Sequence, residues 1–145
     1  MKNKLIYCAI ISLLFIGLLS GCNSGKKDKF PQLPNQTPDS VIIMNGLLGV
    51  NLPPVEDKKV INELIELIGN IKYIEEDSTE IIGGRDGITF VYSDTTIEYD
   101  FITCNADAYV SVRVNASSYI QYKIEPKNGY AIYDYLHNYI AEHSE

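Results

Sequence analysis

The chain has 145 residues, of which 12 are basic and 19 are acidic, and its formal net charge at neutral pH is −7. A chain of this length can fold as one small domain around a single hydrophobic core. Its negative charge would be repelled by phosphate backbones, which argues against nucleic acid as a partner.

The N-terminal residues have the pattern of a secretory signal. Lys2 and Lys4 precede an uncharged apolar run at residues 5–19, and small and polar residues follow from Ser20 onward. Crossing a bilayer takes about 20 apolar residues, so this run is short for a permanent membrane-spanning helix. We therefore predict that residues 1–21 are a removable signal peptide.

The end of this segment resembles the lipobox of bacterial lipoproteins, in which an aliphatic residue and two small residues precede an obligatory cysteine. The four matching residues are Leu19, Ser20, Gly21 and Cys22. The resemblance implies that signal peptidase recognises the first three, cuts before Cys22, and leaves a diacylglyceryl group on the Cys22 thiol. Two acyl chains make a stable anchor, which predicts a lipid-anchored protein on the extracytoplasmic face of the cell membrane. An ordinary secretory signal with a chance cysteine is the alternative.

Residues 22–39 are predicted to be the lipidated cysteine and a tether. Prolines interrupt a polar stretch that has few apolar residues with which to form a packed core. Fully extended, residues 23–39 span at most roughly 55 Å. The lysines at positions 26–29 either contact anionic headgroups or simply keep the tether solvated. The folded domain is then residues 40–145.

The three cysteines fall in three different segments. Cys8 lies in the predicted signal, Cys22 at the predicted cleavage position, and Cys104 in the domain. A disulfide within the mature chain is therefore not expected. Because thiols oxidise outside the cytoplasm, Cys104 is either shielded or a candidate for pairing between chains.

The domain is predicted to begin with a strand and an amphipathic helix. Residues 40–44 are β-branched and apolar, which predicts a buried strand. Between residues 57 and 71, after two prolines, apolar residues recur at helical spacing. They are Val60, Ile61, Leu64, Ile65, Ile68 and Ile71.

A run of antiparallel strands is predicted to follow the helix. Residues 72–82 indicate a strand with a polar interruption, and a glycine-rich turn follows at residues 83–87. Apolar and polar residues then alternate in four segments, which predicts two hairpins. The paired segments are 88–92 with 97–101 and 110–114 with 120–124.

A second amphipathic helix is predicted over residues 129–142, where Ile132, Leu136 and Ile140 share one stripe with Tyr139. The element order is β-α-β-β-β-β-β-α. Each helix and hairpin has one apolar face to bury, which predicts a two-layer α+β sandwich with an antiparallel sheet of about five strands. The layout is similar to small uncharacterised domains on lipoproteins of Gram-positive bacteria.

No residue pattern in the domain indicates a catalytic or metal site, and we expect no cofactor. His137 and His143 have no cysteine near them in sequence, although Cys104 is a conceivable partner in space. Two acidic groups supply the oxygen atoms that calcium prefers, but they lack the ligand spacing of a known calcium loop. The groups are Glu75, Glu76, Asp77 and Glu80, and separately Asp86, Asp94 and Asp107.

The polar face of the predicted sheet, which we expect to be solvated, is the candidate functional surface. Tyr109, Arg113 and Tyr119 fall on its outward phase, and tyrosine and arginine are enriched in recognition surfaces, although tyrosine is also a common half-exposed strand residue. We predict a non-enzymatic module that binds an envelope protein, peptide or polymer. The alternative is a cell-envelope enzyme that acts on wall polymers through a carboxylate pair, Glu98 and Asp100.

Overall fold

The computed structural model describes residues 30–46, 48–76, 85–104 and 106–143. The predicted signal segment, the lipobox and the start of the predicted glycine-rich turn lie outside these residues. Within them, no helix is long and apolar enough to cross a membrane. In chain order the elements are β1 (Ser40–Asn45), β2 (Val50–Asn51), α1 (Lys58–Gly69), β3 (Tyr73–Glu76), β4 (Asp86–Val91), β5 (Thr96–Cys104), β6 (Asp107–Val114), β7 (Ile120–Ile124) and α2 (Pro126–His143).

The strands form one antiparallel sheet with the order β2-β1-β4-β5-β6-β7-β3. The predicted α+β class, with an antiparallel sheet and two helices, is confirmed. The prediction of about five strands is wrong, because the described part of the chain contains a seven-stranded sheet. The predicted order lacks β2, which has only two residues and is too short to show the alternation that marks a strand in sequence.

Helix α1 forms where the apolar spacing predicts it. The Asp57 carboxylate caps the first turn by accepting a hydrogen bond of 2.8 Å from the backbone N–H of Lys59, a donor that the helix cannot pair internally. The buried residues Ile61, Leu64 and Ile68 lie on one stripe. Full burial of such a side chain stabilises the fold by about 1.5–3 kcal/mol.

Helix α2 begins at Pro126, earlier than the predicted start at Gly129. The prediction treated Pro126 as the end of the preceding strand, but a proline also fits the first turn of a helix, where its missing N–H costs nothing. Gly129 lies within this helix, where an added Cβ would be 2.4 Å from the Cβ of Ala108. The missing side chain therefore allows α2 to pack closely on β6.

Both helices bury their apolar stripes in one core with the inner face of the sheet. On that face, Ile88 of β4 pairs across the strands with Tyr99 of β5, and both side chains are fully buried. Helix α2 contributes Ile132, Leu136 and Ile140. Because side chains alternate between the faces of a strand, the intervening residues lie on the opposite, outer face.

The expected tether contributes to this core. Phe30 is only 6% exposed, and its ring lies 5.3 Å from the ring of Tyr122 in an edge-on arrangement. The Tyr99 hydroxyl donates a hydrogen bond of 3.1 Å to the carbonyl of Pro31, and Pro38 is also buried. The packed part of the chain therefore includes residues ahead of Ser40, where the domain was expected to begin.

Candidate interaction surface on the sheet

The outer face of the sheet brings together residues that the sequence analysis proposed for two different functions. Glu98 on β5 is the direct cross-strand partner of Arg113 on β6, and Asp100 is the partner of Ser111. Residues paired in this way share one face. Tyr119 lies directly before β7 and is bonded to Glu98. We call these four residues the outer cluster: Glu98, Asp100, Arg113 and Tyr119.

Three members of the outer cluster contact one another directly. The Arg113 guanidinium donates to Glu98 Oε2 from Nε at 3.0 Å and also from Nη2. The Tyr119 hydroxyl donates to Glu98 Oε1 at 2.6 Å. The Arg113 guanidinium carbon lies 4.5 Å from the centre of the Tyr119 ring, which is within the range of cation–π attraction. One carboxylate thus orients both an arginine and a tyrosine.

Arg113 and Tyr119 remain accessible although they are held in place. The Arg113 side chain is 34% exposed, and Tyr119 is 39% exposed. Burial raises the pKa of the Tyr119 hydroxyl, and the hydrogen bond to Glu98 raises it further. The hydroxyl therefore stays protonated at neutral pH and acts as a hydrogen-bond donor.

Two exposed apolar side chains are next to these residues along the β6–β7 hairpin but belong to the inner face of the sheet. Val114 is 41% exposed and Ile120 is 38% exposed. Their cross-strand partners, Ile97 and Val112, are buried on the inner face, so the hairpin extends past the part of that face which the helices cover. Val114 and Ile120 therefore lie on the face opposite Arg113 and Tyr119.

Tyr109 lies on the outer face but belongs to a second group. Lys123 of β7 forms an ion pair of 3.1 Å with Asp107 of β6, and its ammonium nitrogen lies 5.9 Å from the centre of the Tyr109 ring. The Tyr109 hydroxyl makes a long contact of 3.5 Å with Asp107. A cation, an aromatic ring and a carboxylate therefore occur together twice on this face.

Asp100 contradicts the prediction that the polar face of the sheet is exposed to solvent throughout. It is 4% exposed and Ser111 is 2% exposed, so the prediction of solvation is wrong at these two positions. An added Cβ on Gly87 would lie 2.9 Å from Asp100 Oδ1 and 3.1 Å from the terminal methyl group of Met44. Asp100 therefore lies against the bare backbone of a glycine, with the Met44 side chain beside it.

The buried carboxyl group of Asp100 is incompletely bonded. Its Oδ1 is one of the buried side-chain oxygens in the described residues without a hydrogen-bond partner. Burial, and secondarily the charge of Glu98, raises the pKa of Asp100 to about 6, while Arg85, Arg113 and Tyr119 act in the opposite direction. A charge on Asp100 is therefore costly in the folded state.

The other residues considered for chemistry have separate surroundings. His143 contacts the backbone carbonyl of Tyr139 through Nδ1 at 2.8 Å, and the ring of His137 lies 5.9 Å from that of Tyr133. Cys104 is an exposed free cysteine. Over the part of the chain that is described, no group of three or more histidine, cysteine or acidic residues is arranged to hold a metal ion.

The acidic groups considered as calcium ligands are described only in part. Asp86 accepts a hydrogen bond of 2.9 Å from the backbone N–H of Gly46, and Asp107 is paired with Lys123. Asp77 and Glu80 lie outside the described residues. Asp86 and Asp107 therefore have other contacts within the fold.

Sequence reasoning placed Glu98 and Arg113 on the outer face but missed their ion pair. The pair follows from the register of β5 and β6, in which Ile97 lies opposite Val114. Asn115, with φ of 52°, begins the next turn, which connects β6 with β7. Asparagine tolerates this left-handed conformation, so Asn115 was a usable signal for the end of β6 but not for the pairing of β5 with β6. No protein-family model, curated protein or solved structure matches the chain.

Proposed function

We propose that this chain is a bacterial lipoprotein, anchored through Cys22 on the extracytoplasmic face of the cell membrane, whose domain is a non-enzymatic binding module. Its binding surface is the outer face of the sheet around Arg113 and Tyr119. The partner is an envelope protein, peptide or polymer. The observation that carries the proposal is the accessible arginine–tyrosine pair held by Glu98.

The chemistry of this pair suits recognition. Tyrosine and arginine are enriched among the residues that dominate binding energy, because each offers a large contact area together with hydrogen-bond donors. Immobilising a flexible side chain on binding costs about 0.5–1.5 kcal/mol. Glu98 already restrains both Arg113 and Tyr119, so part of that cost is met when the domain folds.

The binding surface can be tested by site-specific photocrosslinking in living cells. A photoreactive residue at position 119 should yield a crosslinked product of defined mass. Tyr130, which lies on α2 and is 42% exposed, is the matched control because its accessibility is close to that of Tyr119. Equal products from positions 119 and 130 would indicate nonspecific contact and contradict the proposal.

Substitutions then test the energetic contribution of the pair. Arg113→Ala and Tyr119→Ala should each weaken binding of the crosslinked partner by about tenfold or more, the loss that is typical of central interface residues. Tyr130→Ala should leave the affinity unchanged. The measurement is a titration of the purified partner against the full chain in neutral detergent.

The anchor is tested independently by metabolic labelling with palmitate in a bacterial host. The full chain should incorporate the label, and Cys22→Ala should abolish it, because the resemblance assigns the acyl chains to this thiol. Cys104→Ala is the matched control and should retain full labelling. Undiminished labelling of the Cys22 variant would exclude the lipobox interpretation.

The second candidate function is an envelope enzyme that uses Glu98 and Asp100 on wall polymers. The raised pKa of Asp100 favours it, since a general acid must hold its proton near neutral pH. However, both Glu98 oxygens are bonded within the outer cluster, and Asp100 is buried. Release of soluble fragments from purified cell wall by the full chain, and its loss in Glu98→Gln, would favour the enzyme over the binding module.

A further inference from the structure

A groove lies on the helical layer, between α1 and α2. The groove has a volume of about 330 Å³, which is at the lower end of the range of small-ligand pockets. It is lined by apolar, aromatic and acidic side chains from both helices. They include Val60, Glu63, Tyr135, Tyr139, Glu142 and His143. In the sequence, Val60 and Tyr139 are distinguished only as members of the apolar stripes of the two helices.

The charges around the groove favour a cation. Glu63 and Glu142 both line it. The Tyr135 hydroxyl donates a hydrogen bond of 2.9 Å to Glu63 Oε2. Asp57, at the start of α1, adds negative potential at the groove. Burial raises the pKa of Tyr139, and the charge of Asp57 raises it further. These carboxylates would repel an anionic ligand and would bind an uncharged donor more weakly than a cationic one.

Glu63 also has an oxygen that is available to a ligand. Its Oε1 lies 3.9 Å from the ammonium nitrogen of Lys59, too far for a hydrogen bond. The Lys59 side chain is 84% exposed, so this pair on one helix is weak and solvent-screened. Lys59 nevertheless places the ammonium group of its own aliphatic side chain near Glu63 Oε1, the oxygen that a ligand would contact.

The walls of the groove suit an apolar stem. Val60 and Tyr139 provide hydrocarbon surface on opposite helices. The Tyr139 ring is stacked on the ring of His143, with centres 4.0 Å apart and planes inclined by 12°. The hydrogen bond between Tyr135 and Glu63 links the two helices. These contacts hold the walls in place before a ligand arrives, which lowers the entropy lost on binding.

We propose that this groove binds a primary ammonium group on a short aliphatic stem, with the ammonium against Glu63 Oε1 and the stem along Val60 and Tyr139. Free diamines and lysine side chains share this chemistry. The site is on the layer opposite the outer cluster, so it is separate from the surface assigned to the proposed function.

The test is a titration of the full chain in neutral detergent, followed by tyrosine fluorescence and calorimetry. The probes are pentylamine and its neutral counterpart pentan-1-ol, which differ in charge but little in size. Pentylamine should bind saturably and at least about fivefold more tightly than pentan-1-ol, because a charge-assisted hydrogen bond is stronger than a neutral one. Equal affinities would overturn the proposal.

Two further probes distinguish the sources of the ammonium group. Tighter binding of pentane-1,5-diamine than of Nα-acetyl-lysine N-methylamide would indicate a free diamine, and the reverse order would indicate a lysine side chain. Either order supports the ammonium site. Failure of both probes to compete with pentylamine would contradict it.

Matched substitutions assign the effect to the groove. Glu63→Gln retains an acceptor for Tyr135 but removes the charge, and should weaken pentylamine binding about fivefold. Glu66→Gln, at an exposed position on the same helix, should have no effect. Lys59→Gln removes a competing ammonium and should strengthen binding about twofold. Equal weakening by Glu63→Gln and Glu66→Gln would show nonspecific attraction to an acidic surface and overturn the proposal.

One more variant separates this proposal from the proposed function. Tyr119→Ala removes an outer-cluster side chain and should leave pentylamine binding unchanged. A loss of pentylamine binding in this variant, with its fold intact by circular dichroism, would place the ammonium on the sheet and contradict the groove site.

Discussion

Replacing Asp100 by asparagine is expected to stabilise the domain at pH 7.5 by about 1–2 kcal/mol and to leave its stability at pH 4 nearly unchanged. The reason is the burial of a carboxyl group whose Oδ1 has no hydrogen-bond partner. Burial raises its pKa to about 6, whereas an unfolded aspartate titrates near 3.9. Asparagine has a similar shape and cannot acquire the charge.

The sign of the pH dependence follows from the two pKa values. Below about pH 4 both states of the chain hold the proton, so Asp100 imposes no penalty. Between about pH 4 and 6 the unfolded state releases its proton while the folded state retains it, and stability falls as pH rises. Above about pH 6 the penalty is constant and amounts to at most about 3 kcal/mol.

Urea denaturation of the full chain at several pH values, in neutral detergent, measures this effect. The matched control is Asp94→Asn, an exposed aspartate in the turn between β4 and β5, which removes one negative charge without the burial. The pH profile of Asp100→Asn should be flatter than that of the parent chain between pH 4 and 7. Parallel profiles would mean that Asp100 is solvated or fully bonded.

Phe30→Ala is expected to lower the free energy of unfolding by about 3 kcal/mol, because it removes a buried ring and leaves a cavity. Phe30 is 6% exposed and packs against Tyr99 and Tyr122. Residues 30–39 can detach while the rest of the domain stays folded. The loss of stability therefore cannot exceed the free energy with which this segment docks on the domain.

The control for Phe30→Ala is Gln32→Ala, an exposed position in the same segment, which should change stability by less than about 0.5 kcal/mol. Both are compared by urea denaturation under the same conditions. Identical midpoints for Phe30→Ala and the parent chain would restore the interpretation of this segment as a tether that does not contribute to the core.

Elements with local signals were predictable from sequence. Helix α1 has apolar residues at helical spacing and a capping aspartate at its start, and the β4–β5 hairpin has strict alternation around a short turn. Phe30 has no such signal, because its ring partners Tyr99 and Tyr122 are distant in sequence. A single aromatic residue among prolines and polar residues is compatible with a linker, and only tertiary packing distinguishes the two.

The candidate sites were likewise only partly predictable from the sequence. Alternation placed Glu98, Arg113 and Tyr119 outward, but it could not show that one carboxylate binds the other two side chains. It also predicted a solvated Asp100, because a strand pattern gives the face and not the cover supplied by neighbours such as Met44. The ammonium groove depends on how α1 and α2 are juxtaposed, which their individual patterns do not specify.

The burial of Phe30 would also limit how far a lipid-anchored form of this domain could lie from its membrane. A lipid on Cys22 would be joined to the first packed residue by residues 23–29 alone, which span at most about 25 Å. That reach is less than half of the roughly 55 Å available to a free tether from residue 23 to 39. A lipid-anchored form would therefore sample a shell about one domain diameter deep. Partners held in the same bilayer would be met by lateral diffusion, whereas soluble ligands would have to travel to the membrane surface.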